Sequence, residues 1–133
     1  MVQIFEVDMP AGLTAQTDGV DIWLSNKLNR VQRRCAIAHE MRHIELGHTK
    51  HQPEHVEMRV RYETARRLLP VTLAGLCTGS TVREVADNFQ VTPRVLMDRV
   101  ACATEEELAL AGCASCRICP AAQYKFDPAL VAV

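Results

Sequence analysis

Two histidines and a glutamate in one short stretch of the chain have the spacing of a zinc site. The stretch is His39-Glu40-Met41-Arg42-His43, an HExxH motif. On an α-helix, residues four apart lie on the same face, so both imidazoles can bind one Zn²⁺. Glu40, beside the first histidine, can act as a general base toward water at the metal. We therefore predict that His39 and His43 are metal ligands and that Glu40 is the catalytic residue.

The alternative interpretation of this motif is an ordinary surface helix that happens to carry two histidines. The flanking residues favour the metal site, because Cys35-Ala36-Ile37-Ala38 before the motif and Ile44-Glu45-Leu46 after it are mostly apolar. A half-buried helix that holds two histidines and a glutamate is more typical of a metal site than of a decorated surface.

The sequence around the motif predicts the limits of its helix. Asn29 can cap the start, with Gln32 completing a variant of the capping box, and Gly47 marks the end. The ligand face is expected to form the floor of a cleft. The spacing i, i+4, i+7 predicts a separate core-facing stripe, which consists of Ile37, Met41 and Ile44.

A catalytic zinc needs a third protein ligand and an open fourth position, and the next helix offers candidates. This helix is predicted to open at Pro53 and to stop before Pro70. At about 100° per residue, Glu57 flanks the predicted apolar stripe, whereas Glu63 is nearer the opposite side. We predict that Glu57 is the third ligand and that Glu63 points toward solvent; for either one, the alternative is a solvated carboxylate. The predicted stripe consists of Met58, Tyr62, Ala65 and Leu69.

Three further histidines follow the motif. The pattern HExxHxxGxxH is not met, because Leu46 occupies the glycine position. His48 is expected either to line the cleft or to end the helix, and His51 and His55 are expected at the surface.

The chain begins with strand-like sequence. Gln3 to Val7 alternates in polarity, and a second short strand is predicted at Val20 to Leu24, after a turn-rich stretch from Pro10 to Gly19. These strands suit a small sheet beside the metal helix, with Trp23 packing in the sheet. The edge of the second strand is a candidate binding site for an extended substrate.

The stretch from Arg33 to His48 resembles the signature of ImmA/IrrE-type zinc metallopeptidases, which share an AHELGH core. They also share a later helix of the pattern E-x-x-A-N-x-F-A-x-x-L-L-x-P. Counting back from Leu68-Leu69-Pro70 places the ligand glutamate of that pattern on Glu57. The form ARRLLP, which ends at Pro70, is similar to versions from actinobacteria and their phages. The resemblance covers about residues 18 to 70.

The resemblance implies a peptidase that cleaves or releases a repressor protein. The sequence departs from the family pattern at several positions that are not ligands. Val60 and Arg61 replace Ala-Asn, Glu63 replaces the aromatic residue, and Met41-Arg42 replaces Leu-Gly.

Beyond Pro70 the pattern changes to short helices. Thr81 and Glu84 fit a capping box, and Thr92-Pro93 can begin another helix. The apolar spacing resembles a helix-turn-helix, with a plain helical hairpin as the alternative. Arginines and acidic residues balance in this segment, so we favour a packing role over DNA reading. The expected packing residues are Ala86, Phe89, Val91 and Leu96.

A second metal site is predicted near the C-terminus. Thr104 and Glu107 should cap a short helix that reaches Leu110. The spacing C-x₂-C-x₂-C allows three thiolates to reach one ion, with a fourth from upstream; the ion is either Zn²⁺ or an iron–sulfur cluster, and the alternative is ordinary thiols. The candidate ligands are Cys102, Cys113, Cys116 and Cys119. Cys35 and Cys77 are expected to be small buried residues.

Composition and charge constrain the partners and the cellular location that we expect. The chain has 133 residues and a net charge of −1, which gives no field that draws it to nucleic acid or membrane. The first residues lack the features of a signal peptide, so we expect a cytoplasmic protein with reduced or metal-bound cysteines. We predict an α+β, mostly helical fold with a small sheet beside the HExxH helix. Its expected parts are a peptidase core (1–75), a helix-turn-helix-like segment (76–101) and a Cys-rich tail (102–133).

Two functions remain open from the sequence. The first is a zinc-dependent metallo-endopeptidase that cleaves or inactivates a repressor-type protein. The alternative is a non-catalytic zinc-bound module that binds protein or DNA through its helix-turn-helix-like segment. Substitution of Glu40 should separate them, because only the peptidase needs a general base.

Overall fold

A computed structural model describes residues 1–69 and 81–110 of the chain. The fold in these ranges mixes α-helices with a small β-sheet and is mostly helical, which confirms the predicted class. The strands are β1 (Ile4–Val7), β2 (Ala15–Thr17) and β3 (Ile22–Ser25). The helices are α1 (Arg30–Glu45), α2 (Glu54–Leu68), α3 (Val82–Asn88), α4 (Pro93–Ala101) and α5 (Glu105–Leu110).

The chain divides into two compact units, with the division after Thr64, inside α2. The first unit holds the sheet, α1 and most of α2. The second begins at Ala65 and holds α3, α4 and α5. The predicted domain limits at residues 75 and 101 stay predictions. None of the helices in the described ranges is long and apolar enough to cross a lipid bilayer.

The sheet has β3 at its centre, in the order β1-β3-β2. β1 runs parallel to β3 and β2 runs antiparallel to it. Ile22 and Leu24 point to one face of β3 and are both 0% exposed, so they form the core of this unit. On the other face, Phe5 of β1 stacks on Trp23, with 5.7 Å between the ring centroids. This stacking confirms the packing role predicted for Trp23.

The two predicted strands exist with shifted limits, and a third strand was not predicted. β2 lies inside the stretch expected to contain only turns, because three residues are too few to show alternation. The structure also corrects the hypothesis that the strand at Val20 to Leu24 offers a free edge. β3 pairs on both sides, so its backbone groups are used within the sheet.

The start and end of α1 were predicted correctly. The Asn29 side chain accepts a hydrogen bond from the Gln32 N–H at 2.8 Å, and the Gln32 side chain accepts one from the Asn29 N–H at 2.9 Å. Together these bonds form the expected capping box. Gly47 has φ +77° and follows the C-cap Leu46. A left-handed glycine at this position is a common way for a helix to end.

The predicted core stripe of α1 is wrong. Ile37, Met41 and Ile44 are only half-buried, whereas the buried residues of this helix are Cys35, Glu40 and His43. α1 contacts β2 and β3, and two of its three buried residues belong to the HExxH motif. Periodicity alone does not distinguish between two faces that both carry apolar residues, so the choice depends on where the sheet lies.

Helix α2 begins directly after Pro53, whose carbonyl accepts hydrogen bonds from the N–H groups of Val56 and Glu57, each at 3.0 Å. Its predicted stripe is correct in part. Ala65 and Leu69 are buried, but Met58 and Tyr62 are half-buried. The part of α2 that belongs to the first unit buries Val60 and Thr64, which were not predicted to be buried.

In the second unit, α3 and α4 form a packed pair joined by a short turn. Thr81 caps α3 by accepting from the Glu84 N–H, and Thr92 caps α4 by accepting from the Val95 N–H. Of the expected packing residues, three are buried and Phe89 is half-buried. The three buried residues are Ala86, Val91 and Leu96.

Arg99 is the charged centre of the second unit. Its side chain is 3% exposed, and its Nε donates to the Leu69 carbonyl at 2.8 Å. The guanidinium also pairs with Glu107, which accepts a further hydrogen bond from Arg66 at 3.2 Å. Thr104 and Glu107 form the predicted capping box of α5. Arg99 is one of the arginines in the charge balance of this segment, and the structure buries it.

Candidate metal centre

Three predicted ligands come together in the first unit. His39 and His43 lie one turn apart on α1, and Glu57 lies in the first turn of α2. Nε2 of His43 is 3.2 Å from Nε2 of His39 and 3.1 Å from Oε2 of Glu57. The third side of this triangle, from Nε2 of His39 to Oε2 of Glu57, is 3.4 Å. The three atoms therefore lie close to the corners of an equilateral triangle.

The size of this triangle matches the chemistry of zinc. In a tetrahedral site with metal–ligand distances of about 2.0–2.1 Å, neighbouring ligand atoms are about 3.3–3.4 Å apart. The observed separations of 3.1 to 3.4 Å are close to this spacing. Two imidazole nitrogens and one carboxylate oxygen form a donor set that zinc accepts, and a fourth position stays open. These separations are also hydrogen-bond distances, so the same atoms can share a proton when no ion is bound.

The carboxylate of Glu57 is held from two sides. While Oε2 faces the two histidines, Oε1 accepts a hydrogen bond from the Gln52 N–H at 3.4 Å. Burial alone would raise the pKa of Glu57, but His43, the Gln52 N–H and His39 together bring that pKa below its usual value. The group is thus favoured as a carboxylate, which is the form that binds a cation.

His39 is set up as a neutral imidazole. Burial, and after it the proximity of His43, lowers the pKa of His39 to about 4. A neutral ring keeps a lone pair on a nitrogen, and this lone pair is what a metal ligand must provide. At neutral pH no proton therefore needs to leave His39 before an ion binds.

Glu40 is buried on the same helix without being a corner of the triangle. It is 8% exposed, and burial together with the negative charge of Glu57 raises its pKa to about 7. A carboxyl group with a pKa near the working pH can both accept and return a proton, which is the requirement for a general acid–base residue. These properties suit the catalytic role predicted for Glu40.

Glu63 differs from its prediction. We expected it to point toward solvent, but its side chain is 27% exposed and is paired with two arginines. Its Oε2 is 2.6 Å from Nε of Arg42, and its Oε1 is 2.9 Å from Nε of Arg59. The helical angle correctly kept Glu63 away from the histidines. It did not reveal Arg42, because that residue comes from another helix. Arg59 lies four residues before Glu63 on α2, a spacing that the sequence shows.

The histidines outside the motif occupy different environments. His51 has a side chain that is 91% exposed, and His55 is exposed, both as predicted. His48 instead lies against the motif, with its Nδ1 2.9 Å from Nδ1 of His43. The expectation that His48 lines a cleft stays a prediction. The hydrogen bond to His43 itself was missed, although Gly47, which turns the chain back, is visible in the sequence.

The predicted cysteine site is described only at one of its members. Cys102 is half-buried at the C-cap of α4, and burial raises the pKa of its thiol. Cys113, Cys116 and Cys119 lie outside the described residues, as does Cys77. Cys35 is 7% exposed, which confirms the prediction that it is a small buried residue.

Comparisons with protein-family models, with curated proteins and with solved structures found no match for this chain.

Proposed function

We propose that this chain is a zinc-dependent metallo-endopeptidase. The observation that carries the proposal is the triangle of His39, His43 and Glu57, whose sides of 3.1 to 3.4 Å fit a tetrahedral zinc site. The resemblance of residues 33–48 to the ImmA/IrrE-type signature supports the same assignment and adds a substrate class, a repressor-type protein. Departures from that signature spare all three ligands.

In this proposal each residue has a defined task. His39, His43 and Glu57 hold the ion, and zinc when bound supplies Lewis-acid chemistry that polarises a peptide carbonyl and acidifies water. Glu40 accepts a proton from water and returns it to the leaving amine. A pKa of about 7 suits Glu40 for both transfers. The burial of Glu40, next to His39 in the sequence, supports this assignment.

The substrate-binding hypothesis changes with the sheet order. Because β3 is paired on both sides, an extended peptide would pair with an outer strand of the described sheet. Of the two outer strands, β2 has the more extensive packing against α1, the helix that carries His39 and His43. We therefore assign peptide pairing to the edge of β2.

The alternative function is a non-catalytic zinc-bound module that acts through the helix-turn-helix-like pair α3 and α4. A specific observation weighs against DNA reading by this pair. Arg99 on α4 is used inside the unit, where it binds the Leu69 carbonyl and Glu107. Arg99 is thus not available to contact phosphates, and we propose that the pair has a packing role in a cytoplasmic protein.

We retain the proposal of a second metal, zinc or an iron–sulfur cluster, on Cys102, Cys113, Cys116 and Cys119. Metal analysis of the reduced, metal-replete chain decides it. Two equivalents per chain, falling to one in Cys116→Ser with the peptidase zinc retained, support the cluster. One equivalent in the wild type would remove it, and brown colour would select iron–sulfur over zinc.

The peptidase proposal is tested by incubating the chain with repressor proteins from its own genome, with and without a chelator. Wild-type protein should cleave a repressor it binds, and both the chelator and Glu40→Gln should stop cleavage. Glu40→Gln should retain its zinc, because Glu40 is not a corner of the triangle. Binding without cleavage by the wild type would favour the alternative module.

A further inference from the structure

We propose that His48 is a positioning residue for the metal site. In this role it accepts the Nδ1–H of His43 and thereby keeps Nε2 of His43 unprotonated for the ion. The inference rests on the proposed zinc site, but not on peptidase activity. It concerns a contact outside the HExxH motif.

The imidazole rings of His43 and His48 lie within hydrogen-bond distance of each other. Nδ1 of His43 and Nδ1 of His48 are 2.9 Å apart, with ring centroids at 5.2 Å and planes inclined by 56°. This separation is that of a good N–H···N hydrogen bond, in which one nitrogen carries the proton and the other supplies a lone pair. One of the two histidines is therefore the donor of this hydrogen bond, and the other is the acceptor.

Metal binding by His43 requires one direction of this hydrogen bond. Nε2 of His43 lies at a corner of the ligand triangle and must be unprotonated to bind an ion. A neutral imidazole with a bare Nε2 carries its proton on Nδ1. His43 must then be the donor, and Nδ1 of His48 must be the acceptor. The second nitrogen of a ligating histidine commonly has such a partner, which fixes the ring orientation and makes the ligand more basic.

The backbone also holds His48 in place. Gly47, with φ +77°, turns the chain back after α1, and the His48 N–H donates to the His43 carbonyl at 3.0 Å. Backbone and side chain of His48 thus both bind the same residue.

A second segment, the loop that contains Gly19, packs against the turn that carries His48. Gly19, with φ +95°, approaches so closely that a Cβ built on it would lie 3.1 Å from the His48 carbonyl oxygen and 2.9 Å from Cγ2 of Thr49. The loop before β3 therefore packs directly against the segment that carries His48. The acceptor is positioned by two independent parts of the first unit.

The experiment compares three variants for zinc affinity, measured by competition with a chelator. His48→Leu removes the acceptor, and we expect a loss of about 10- to 100-fold. His48→Asn places an amide oxygen near the position of Nδ1, and it should restore most of the affinity. His55→Leu alters an exposed histidine and should bind zinc as the wild type does. Equal affinities in His48→Leu and the wild type would overturn the inference, as would a loss in His48→Asn equal to that in His48→Leu.

A second measurement does not depend on any variant folding. The nitrogen-15 spectrum of the zinc-loaded wild type should show the proton on Nδ1 of His43 and none on Nδ1 of His48. The opposite location contradicts the positioning role. Failure of the wild type to bind zinc would overturn the proposed function and this inference with it. Tight zinc binding without peptide cleavage would count against the peptidase alone.

Discussion

Arg42 of α1 and Glu63 of α2 form an ion pair, with 2.6 Å between Nε and Oε2. The same glutamate binds Arg59, and the same arginine is 3.1 Å from Glu45. This network joins the two helices that supply the candidate metal ligands. It also separates the tasks of two carboxylates on one helix, because Glu57 faces histidines while Glu63 faces arginines.

This separation predicts opposite results for two matched substitutions on α2. Glu57→Gln removes a charged oxygen from the ligand triangle and should lower zinc affinity by at least about tenfold. Glu63→Gln should leave zinc affinity nearly unchanged and cost about 1 kcal/mol of stability, the range of partly exposed ion pairs. Chelator competition and chemical denaturation measure the two quantities. Loss of zinc affinity in Glu63→Gln alone would reverse the ligand assignment.

Removal of either ligand histidine should abolish stabilisation by zinc. An ion that binds only the folded chain raises its melting temperature, and this gain depends on the complete ligand set. We expect addition of zinc to raise the melting temperature of the wild type and of the exposed-site control His55→Ala. His39→Ala and His43→Ala should show little or no rise. A full zinc-dependent rise in either ligand variant would exclude that histidine.

Glu40 should make the metal-free protein less stable as the pH rises. Its pKa is raised from 4.5 to about 7 in the folded chain, so between these values the folded state binds more protons than the unfolded state. Stability therefore falls with rising pH across this window, and the cost is complete above about pH 7. A shift of this size corresponds to about 3 kcal/mol.

The variant Glu40→Gln has no ionisable carboxyl group at this position, so it should not undergo this loss of stability as the pH rises. In the presence of a chelator, we expect it to be more stable than the wild type above pH 7 and similar to it below pH 4.5. Urea denaturation at a series of pH values measures the difference. A difference that does not change with pH would show that burial does not perturb Glu40.

In the second unit, we expect Glu107 to give stability the opposite dependence on pH. The hydrogen bond from Arg99 is the main cause that lowers the pKa of Glu107 to about 2. Its stabilising contribution is thus present above pH 4.5 and is lost as the pH falls toward 2. Glu107→Gln should cost about 2 kcal/mol at neutral pH, the range of a hydrogen bond between charged groups. The difference from the wild type should shrink below pH 4.5. Glu106→Gln, at an exposed neighbour, should change little.

Two glycines with left-handed backbones provide a matched test of whether the contact of Gly19 with His48 and Thr49 positions His48. Gly12 has φ +89° and Gly19 has φ +95°, so alanine at either position should cost about 1–2 kcal/mol of backbone strain. Among the described residues, no atom lies within 4 Å of a Cβ built at Gly12, whereas at Gly19 it meets His48 and Thr49. We expect Gly19→Ala to weaken zinc binding and Gly12→Ala to leave it unchanged. Equal zinc affinities in the two variants would contradict a role for the Gly19 contact in zinc binding.

The sequence by itself determined several helix ends in this chain. Capping at Asn29 and Thr104, the end of α1 at Gly47 and the start of α2 after Pro53 all follow from interactions between residues a few positions apart. The spacing of His39 and His43 belongs to the same class, because one helical turn sets the distance between them. Such features depend on backbone geometry that is the same wherever the helix is placed.

Tertiary structure decided which groups from different elements meet. The sheet order made β3 central, and the buried side of α1 carries Glu40 and His43 in place of the predicted apolar stripe. Glu57 could be proposed from its helical angle, but its distance to the histidines required α1 and α2 to be placed together. The Arg42 partner of Glu63 and the Leu69 partner of Arg99 were missed for the same physical reason. A side-chain hydrogen bond extends only about 3 Å, so it depends on three-dimensional placement that periodicity along one segment does not encode.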